Sequence, residues 1–189
     1  MEIRKIDYKW NGKLLERNHT RYIVLHHRAG EGDAESIHKQ HLSKGYTGIG
    51  YHFYVRKNGE VYKGRPIGAV GAHTLGANDI SVGVCFEGNF ETDKDMPSKQ
   101  QKSGCQLVDY LKGLYPDAKV VRHKDLQSTA CPGKNFPYDK IKEGEKSMTL
   151  EDAIEIVQLK AGLEDETIEF LLCYKYGEEL MVKLAEAIR

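Results

Sequence analysis

The alternation of apolar and polar positions divides the first part of the chain into strands and helices. Two runs are nearly continuous in apolar residues, Tyr22 to His26 and Ile80 to Phe86. Such runs predict strands that are buried on both faces of a sheet. Residues 51–56 and 60–64 lie on either side of an Asn-Gly pair and predict a β-hairpin. A further short strand is expected over residues 118–122.

Helical spacing of apolar residues occupies two segments between these strands. Asp33 is a typical N-cap for a helix that runs to about Lys44. Ser98 followed by Gln101 predicts a capping box, which opens a longer helix that runs to Pro116. Strands that alternate with helices, together with one hairpin, predict an α/β domain with a mixed central β-sheet flanked by helices.

A charged, glycine-containing stretch from Lys140 to Lys146 shows no periodic apolar face and is predicted to be a linker. It separates a main domain, residues 1–140, from a small all-helical unit, residues 147–189. A unit of this size usually needs a partner surface to fold stably, so its apolar residues could pack on the main domain, on a second copy, or on a ligand. The sequence leaves these choices open. Three short helices are predicted in the unit, one starting at Thr149 and the others spanning residues 167–176 and 178–188.

The balance of charges argues against one class of function. The 189 residues contain 28 Lys and Arg and 28 Asp and Glu, so the formal net charge is zero and a nucleic-acid-binding surface is not expected. The N-terminus has no apolar signal segment, and no run approaches the roughly 20 apolar residues of a membrane span. We therefore expect synthesis in the cytoplasm and no membrane insertion. The four cysteines show no tight repeated spacing and are expected to be reduced.

The chemistry-bearing residues concentrate in a turn-rich run where His123 precedes Cys131 by eight positions. An imidazole and a thiol suit zinc, and a catalytic zinc usually has three protein ligands. The best place for the third ligand is the end of the first buried strand, where either His26 or His27 would present its imidazole. Without further context, His123 can also be interpreted as a hydrogen-bonded loop histidine and Cys131 as a small buried hydrophobe.

Five motifs in one order resemble the type-2 N-acetylmuramoyl-L-alanine amidases, the family that includes phage lysozyme-type amidases and the peptidoglycan recognition proteins. The resemblance covers roughly residues 22–138 and is far more specific than any one motif. The motifs are His26 after an apolar strand, Gly48 to Phe53, Ser81 to Val84, Arg122-His123, and Thr129 to Gly133.

The resemblance implies a Zn²⁺ cofactor held by His26, His123 and Cys131. The family pattern selects His26 over His27, and neighbouring residues of a strand point to opposite faces, so only one of the two can face a metal. A zinc ion in such a site would polarise an amide carbonyl and acidify a water molecule.

Three further residues are implied to act in catalysis. Tyr51 matches the family's active-site tyrosine, which donates a hydrogen bond to the developing oxyanion or holds the water. Thr129 replaces the lysine of some phage amidases and would act only as a hydrogen-bonding group. Glu87 departs from the phage lysozyme-type branch, and it is either a general base or the polar end of a strand that reaches solvent.

The resemblance also implies a substrate groove, to which His73 and Asn78 belong. His52, in contrast, is expected to be a structural histidine that hydrogen-bonds within the sheet.

The implied function is zinc-dependent hydrolysis of the amide bond between N-acetylmuramic acid and L-alanine in peptidoglycan, as a phage or prophage endolysin acting on the wall after release. The alternatives are a cytoplasmic wall-recycling amidase that acts on anhydro-muropeptides and a non-catalytic peptidoglycan-binding module. Non-catalytic recognition proteins typically lack the metal cysteine, so Cys131 favours an enzyme. The helical unit is then a candidate for wall binding or homodimerisation.

Overall fold

The computed structural model describes residues 2–144 and 149–188, and the chain divides into two compact units with their boundary between residues 145 and 146. The first unit holds a six-stranded sheet. Its strands are β1 (Ile3–Arg4), β2 (Tyr22–His27), β3 (Phe53–Val55), β4 (Val61–Lys63), β5 (Ser81–Phe86) and β6 (Lys119–Arg122). Its helices are α1 (Ala34–Ser43), α2 (Ser98–Leu114) and α3 (Tyr138–Glu143), and a 3-10 turn spans His123–Asp125.

The sheet is mixed, which confirms the predicted α/β class. The strand order is β1-β4-β3-β5-β2-β6. β2 pairs in parallel with β5 on one side and with β6 on the other, and β3 also pairs in parallel with β5. The hairpin β3–β4 is antiparallel, as the Asn-Gly pair predicts, although both strands are shorter than expected. Tyr51 consequently lies before β3 rather than within it.

The two nearly continuous apolar runs form the centre of this sheet. Every residue of β5 is buried, and all but the first residue of β2 are buried. Because parallel strands need cover on both faces, such sequences suit central positions. The main core includes Ile23, Val84 and Phe86 from these strands and Leu107 and Leu111 from α2.

The start of α2 differs from the prediction. Pro97 is the N-cap, and no side chain caps the helix, so the predicted capping box of Ser98 and Gln101 is wrong. Proline is favoured at helix starts because its fixed φ angle suits the first turn. Gln100 is the polar residue with a structural role here: its buried Nε2 donates to the carbonyl oxygens of Val55 and Glu87. The helix ends at Leu114, two residues before the predicted stop.

The predicted linker is partly wrong, because its first residues belong to α3. Ile141 is fully buried in the main core, and Tyr138, one helical turn earlier, donates from its hydroxyl to the carbonyl oxygen of Val120. Lys112 of α2 also donates to the carbonyl oxygen of Lys142 near the end of α3. The first unit therefore extends through this helix. The rest of the predicted linker, residues 145–146, lies outside the described residues.

The second unit contains α4 (Leu150–Ala161), α5 (Asp165–Leu172) and α6 (Gly177–Ile188), so the three predicted helices are present with shifted bounds. Thr149 forms a capping box with Asp152, and Gly162 ends α4 in the left-handed conformation. The unit has a core of its own, formed by Ala153, Val157, Ile168, Met181 and Ala185.

All four cysteines are free thiols, as predicted. Cys85 and Cys105 are buried in β5 and α2. Cys173, predicted to lie within an apolar helix, instead follows α5 and is exposed. Among the described residues, none of the helices combines the length and apolar character needed to cross a bilayer.

His52 has the structural role that the sequence predicts. Its fully buried ring accepts a hydrogen bond at Nδ1 from the Gly83 N–H and donates from Nε2 to the carbonyl oxygen of Ala69. Burial lowers the pKa of His52 to about 3, so the ring is neutral at pH 7. This folded-state pKa lies below that of an unfolded histidine. The contribution of His52 to stability is therefore present near neutral pH and is lost as pH falls from about 6.5 toward the folded value.

The substitution His52→Leu should lower the free energy of unfolding at pH 7 by about 1–3 kcal/mol for each buried partner that is left unpaired. Urea denaturation followed by circular dichroism measures this loss. His19 is exposed and provides the matched control, so His19→Leu should change stability by less than about 0.5 kcal/mol. Equal effects of the two substitutions would contradict the structural role.

Candidate metal centre and active site

Three side chains from distant parts of the sequence converge at one end of the central strands. One ligand atom from each of His26, His123 and Cys131 lies within 4.8 Å of the others. His26 is near the end of β2, and His123 follows β6, the parallel neighbour of β2. The Nδ1 atom of His26 is 3.8 Å from the Cys131 Sγ. The geometry is therefore that of a compact site with two imidazoles and one thiol.

His27 lies outside this cluster. Its ring points to the opposite face of the sheet, where Nδ1 accepts a hydrogen bond from the Phe90 N–H at 3.1 Å. That bond occupies the nitrogen in a structural role. The neighbouring histidines of β2 thus have separate functions, one at the site and one in anchoring the loop after β5.

Burial keeps the imidazole of the first candidate ligand neutral. The pKa of His26 is well below its usual value, mainly because the ring is desolvated and also because His123 and His27 lie nearby. Burial raises the pKa of the Cys131 thiol to about 11. A cation favours neutral imidazole and thiolate, so both groups are arranged to gain from a positive charge between them.

Hydrogen bonds occupy the outer nitrogen atoms of both imidazoles. The Nε2 of His26 is 3.0 Å from the Nδ1 of His73, and the Nε2 of His123 is 2.6 Å from the Oε1 of Gln127. Histidines that bind a metal usually have such a partner on the nitrogen that does not face the metal. Two imidazoles and a thiol also match the ligand preference of zinc. The residues present therefore fit a zinc ion.

Tyr51 lies beside the cluster, with its ring centroid 5.1 Å from that of His26. The pKa of Tyr51 is well above its usual value, first because the phenol is desolvated and then because Cys85 and Cys131 lie close. The hydroxyl therefore stays protonated at neutral pH and remains a hydrogen-bond donor. This is the property that stabilisation of a developing oxyanion requires.

A groove with a volume of about 460 Å³ opens next to Tyr51. His41 contributes one wall: its Nδ1 accepts a hydrogen bond from the Gly50 N–H, and burial lowers its pKa to about 4. Leu75 is 81% exposed at the rim, which gives the groove an apolar edge. The predicted groove residues His73 and Asn78 both line it.

Asn78 also has a structural task. Its Oδ1 accepts hydrogen bonds from the backbone N–H groups of His73 and Thr74, both at 2.8 Å. These bonds fix the turn that carries His73 toward His26. His73 thus contacts both the groove and a candidate metal ligand.

Known proteins provide an independent comparison. The family described as N-acetylmuramoyl-L-alanine amidase matches residues 16–134, more than half of the chain. The chain belongs to this family. An endolysin of Enterobacteria phage K11 is 31% identical over 128 residues, which cover 64% of this chain and 85% of the endolysin. Peptidoglycan-recognition protein SC2 of Drosophila melanogaster is 33% identical over 153 residues, which cover 68% of this chain and 79% of that protein.

Solved structures of the same family share the fold. The N-acetylmuramoyl-L-alanine amidase LysC from Clostridium intestinale URNW matches with a TM-score of 0.70 at 38% identity. The match covers 76% of this chain and 96% of that chain. Since the family match ends at residue 134, the helices α4, α5 and α6 lie beyond the part that defines this protein as a member of the amidase family.

Thr129 is exposed on the loop that carries Cys131. Its Oγ1 accepts a hydrogen bond from the backbone N–H of Cys131 at 3.3 Å. The hydroxyl thereby helps to fix the loop that carries the candidate thiol ligand, while its own proton remains available to another acceptor.

Glu87 is buried, so the expectation that it is a polar strand end reaching solvent is wrong. Its Oε1 accepts from the Gly32 N–H, and its Oε2 accepts from the Lys57 N–H and from the Arg56 guanidinium. Burial acts to raise the pKa of Glu87, but these donors outweigh it and the net pKa is lowered. A carboxylate with three donors and a lowered pKa favours a role in holding loops together, and its catalytic role stays a prediction.

The structure adds Gln127 and Thr74 to the residues predicted from the sequence. Gln127 was not predicted from the sequence to be a partner of His123. Its position four residues after His123 in the same turn-rich run could have indicated the contact. The Thr74 Oγ1 lies 3.4 Å from the Nε2 of His26 and 2.9 Å from the Nδ1 of His73. No sequence pattern marks that proximity, because it depends on the turn that Asn78 holds.

Proposed function

We propose that this protein is a zinc-dependent hydrolase that cleaves the amide bond between N-acetylmuramic acid and L-alanine in peptidoglycan, with an endolysin role. The observation that carries the proposal is the convergence of His26, His123 and Cys131 beside Tyr51 in a chain of the amidase family. The endolysin role is supported by a phage K11 relative that bears that name.

The proposed cofactor would be held by His26, His123 and Cys131. When bound, zinc supplies a Lewis acid that polarises a carbonyl oxygen and lowers the pKa of water. Catalytic zinc sites typically have three protein ligands and keep a fourth position for water or substrate, which matches the number of candidate ligands in this cluster. His26 is almost fully buried, whereas His123 and Cys131 are partly exposed, so the site lies at the surface end of the core.

The other residues bind and orient the substrate. The groove lined by His41, Leu75 and Asn78 has a volume of about 460 Å³, which lies within the usual range of ligand pockets, and it would take part of a muramyl-peptide. Tyr51 also lines this groove, so its phenol would lie close to the scissile carbonyl of a substrate bound there. The Tyr51 hydroxyl then donates a hydrogen bond to the oxygen on which negative charge develops.

A second candidate function is recognition of peptidoglycan without cleavage. It is favoured by the Drosophila relative, whose name is peptidoglycan-recognition protein. The complete set of three ligands in this chain supports the enzyme instead, because a binding module needs only the groove. Release of free peptide from purified muramyl-peptide distinguishes the two, since a binding module retains the substrate intact.

Purified protein should contain one zinc ion per chain, measured by elemental analysis. Cys131→Ser and His123→Ala should each remove most of the metal, because each deletes one of three ligands. His27→Ala is the matched control and should retain zinc, because His27 faces away from the cluster. Full zinc content in the Cys131→Ser variant would show that the ligand assignment is wrong.

Tyr51→Phe should retain zinc but lower the rate of muramyl-peptide hydrolysis by on the order of 100-fold or more, because it removes only an oxyanion donor. The measurement is kcat for release of peptide. Glu87→Gln is the comparison, since it tests the general-base prediction while keeping the shape of the side chain. If Tyr51→Phe is as fast as the wild type and Glu87→Gln is inactive, the catalytic roles are reversed.

We further propose that residues 147–189 serve attachment rather than chemistry. This part of the sequence contains no histidine, and the ligand cluster and Tyr51 all precede it. A helical unit of this kind raises the local concentration of a catalytic domain at a surface, either by binding the wall or by pairing two chains.

A chain truncated to residues 1–145 should stay folded, keep its zinc and cleave soluble muramyl-peptide normally, while clearing intact cell walls more slowly. Turbidity loss of wall suspensions measures the second property. Sedimentation of the full-length protein separates the two versions, because only pairing gives a particle larger than a monomer. Loss of soluble-substrate activity on truncation would contradict the division into domains 1–140 and 147–189.

A further inference from the structure

In both candidate imidazole ligands, the nitrogen that faces away from the cluster lies beside an atom that can accept a hydrogen bond. In a neutral imidazole, one nitrogen carries a hydrogen and the other carries a lone pair. A hydrogen-bond acceptor beside one nitrogen favours the hydrogen there and leaves the lone pair on the other nitrogen. For His26, Nδ1 faces the Cys131 Sγ at 3.8 Å and Nε2 faces the Nδ1 of His73 at 3.0 Å. A metal at the cluster therefore requires the hydrogen of His26 to lie on Nε2, pointing at His73.

His123 is arranged in the same way. Its Nε2 lies 2.6 Å from the Oε1 of Gln127, which is an acceptor. The bond places the hydrogen of His123 on Nε2 and leaves the Nδ1 lone pair for the cluster. Gln127 follows His123 by four residues, so one short segment, which begins with the 3-10 turn His123–Asp125, supplies both the candidate ligand and its partner.

Contacts with Asn78 and with two glycines fix the position of His73. Asn78 holds the turn, as described above, and the ring lies directly against Gly83 in the middle of β5. A Cβ at Gly83 would lie 2.6 Å from the His73 ring, and a Cβ at Gly71 would lie 2.5 Å from it. Glycine weakens a buried strand and often marks a close approach. These glycines make the space through which His73 reaches His26.

We propose that His73 and Gln127 are positioning residues that accept hydrogen bonds from the outer N–H groups of His26 and His123 and so present both Nδ1 atoms to the metal. The inference rests on the proposed zinc site and specifies how that site is prepared. It gives His73 a role through His26, in addition to its place in the groove. Such outer partners typically contribute 10–100-fold to metal affinity or activity.

The test measures zinc affinity of the full-length, zinc-loaded protein by competition with a chromophoric chelator. Gln127→Leu and His73→Leu remove the acceptors and should each weaken zinc binding by about 10–100-fold. Gln127→Glu and His73→Asn keep an acceptor oxygen near the same place and should restore most of the affinity. A residue that only filled space would not show this rescue. Gln40 is exposed on α1, so Gln40→Leu is the matched control and should bind zinc like the wild type.

Thermal unfolding of each zinc-loaded variant shows whether it is folded. If His73→Leu does not fold, the comparison of Gln127→Leu with Gln127→Glu tests the inference, because Gln127 is only partly buried. Wild-type affinity in a folded Gln127→Leu variant, or equal losses in Gln127→Leu and Gln127→Glu, would overturn the inference and leave the zinc site standing. A wild-type protein that binds no zinc would overturn both.

Discussion

Parallel pairing of β2 with β5 and β6 is the constraint on which the rest of the structure depends. It places the ends of β2 and β6 side by side, so that His26 and His123 meet although 97 positions separate them in the sequence. Parallel pairing is possible because both central strands are apolar on both faces and are covered by helices. The rim of such a sheet is the place where polar groups from several strands can converge without disturbing the core.

The burial that stabilises this sheet also determines the chemistry at its rim. Desolvation lowers the pKa of His26 and raises the pKa values of Cys131 and Tyr51. All three groups are therefore neutral in the metal-free protein. A cation that enters beside Cys131 would favour the thiolate form of its side chain. Burial in the core thus sets the protonation states of groups at the candidate metal site.

The features that could be predicted from the sequence depend either on a local pattern of residues or on the order of motifs along the chain. The central strands, the Asn-Gly hairpin and the candidate ligands belong to this class, the last through family resemblance rather than periodicity. Contacts made across the fold could not be predicted. The capping box predicted at Ser98 and Gln101 does not form, because Pro97 is the N-cap of α2. The segment of α3 looked like a linker because its sequence is mostly charged, and Tyr138 and Ile141 anchor it to the first unit. The hydrogen bonds of Glu87 with the Lys57 N–H and of Gln127 with His123 depend on the folded structure, and no periodicity in the sequence predicts them.

Gly83 links the stability of the sheet to the quality of the active site. Replacing a strand glycine by alanine is a common step in making an enzyme more heat-resistant, because alanine costs less conformational entropy on folding. In this protein the added methyl group would meet the His73 ring inside the sheet and push it away from His26. A more rigid strand would then weaken the hydrogen bond that orients His26, a candidate metal ligand. Engineering for thermal tolerance should therefore leave this one strand position untouched and seek its gains elsewhere in the fold.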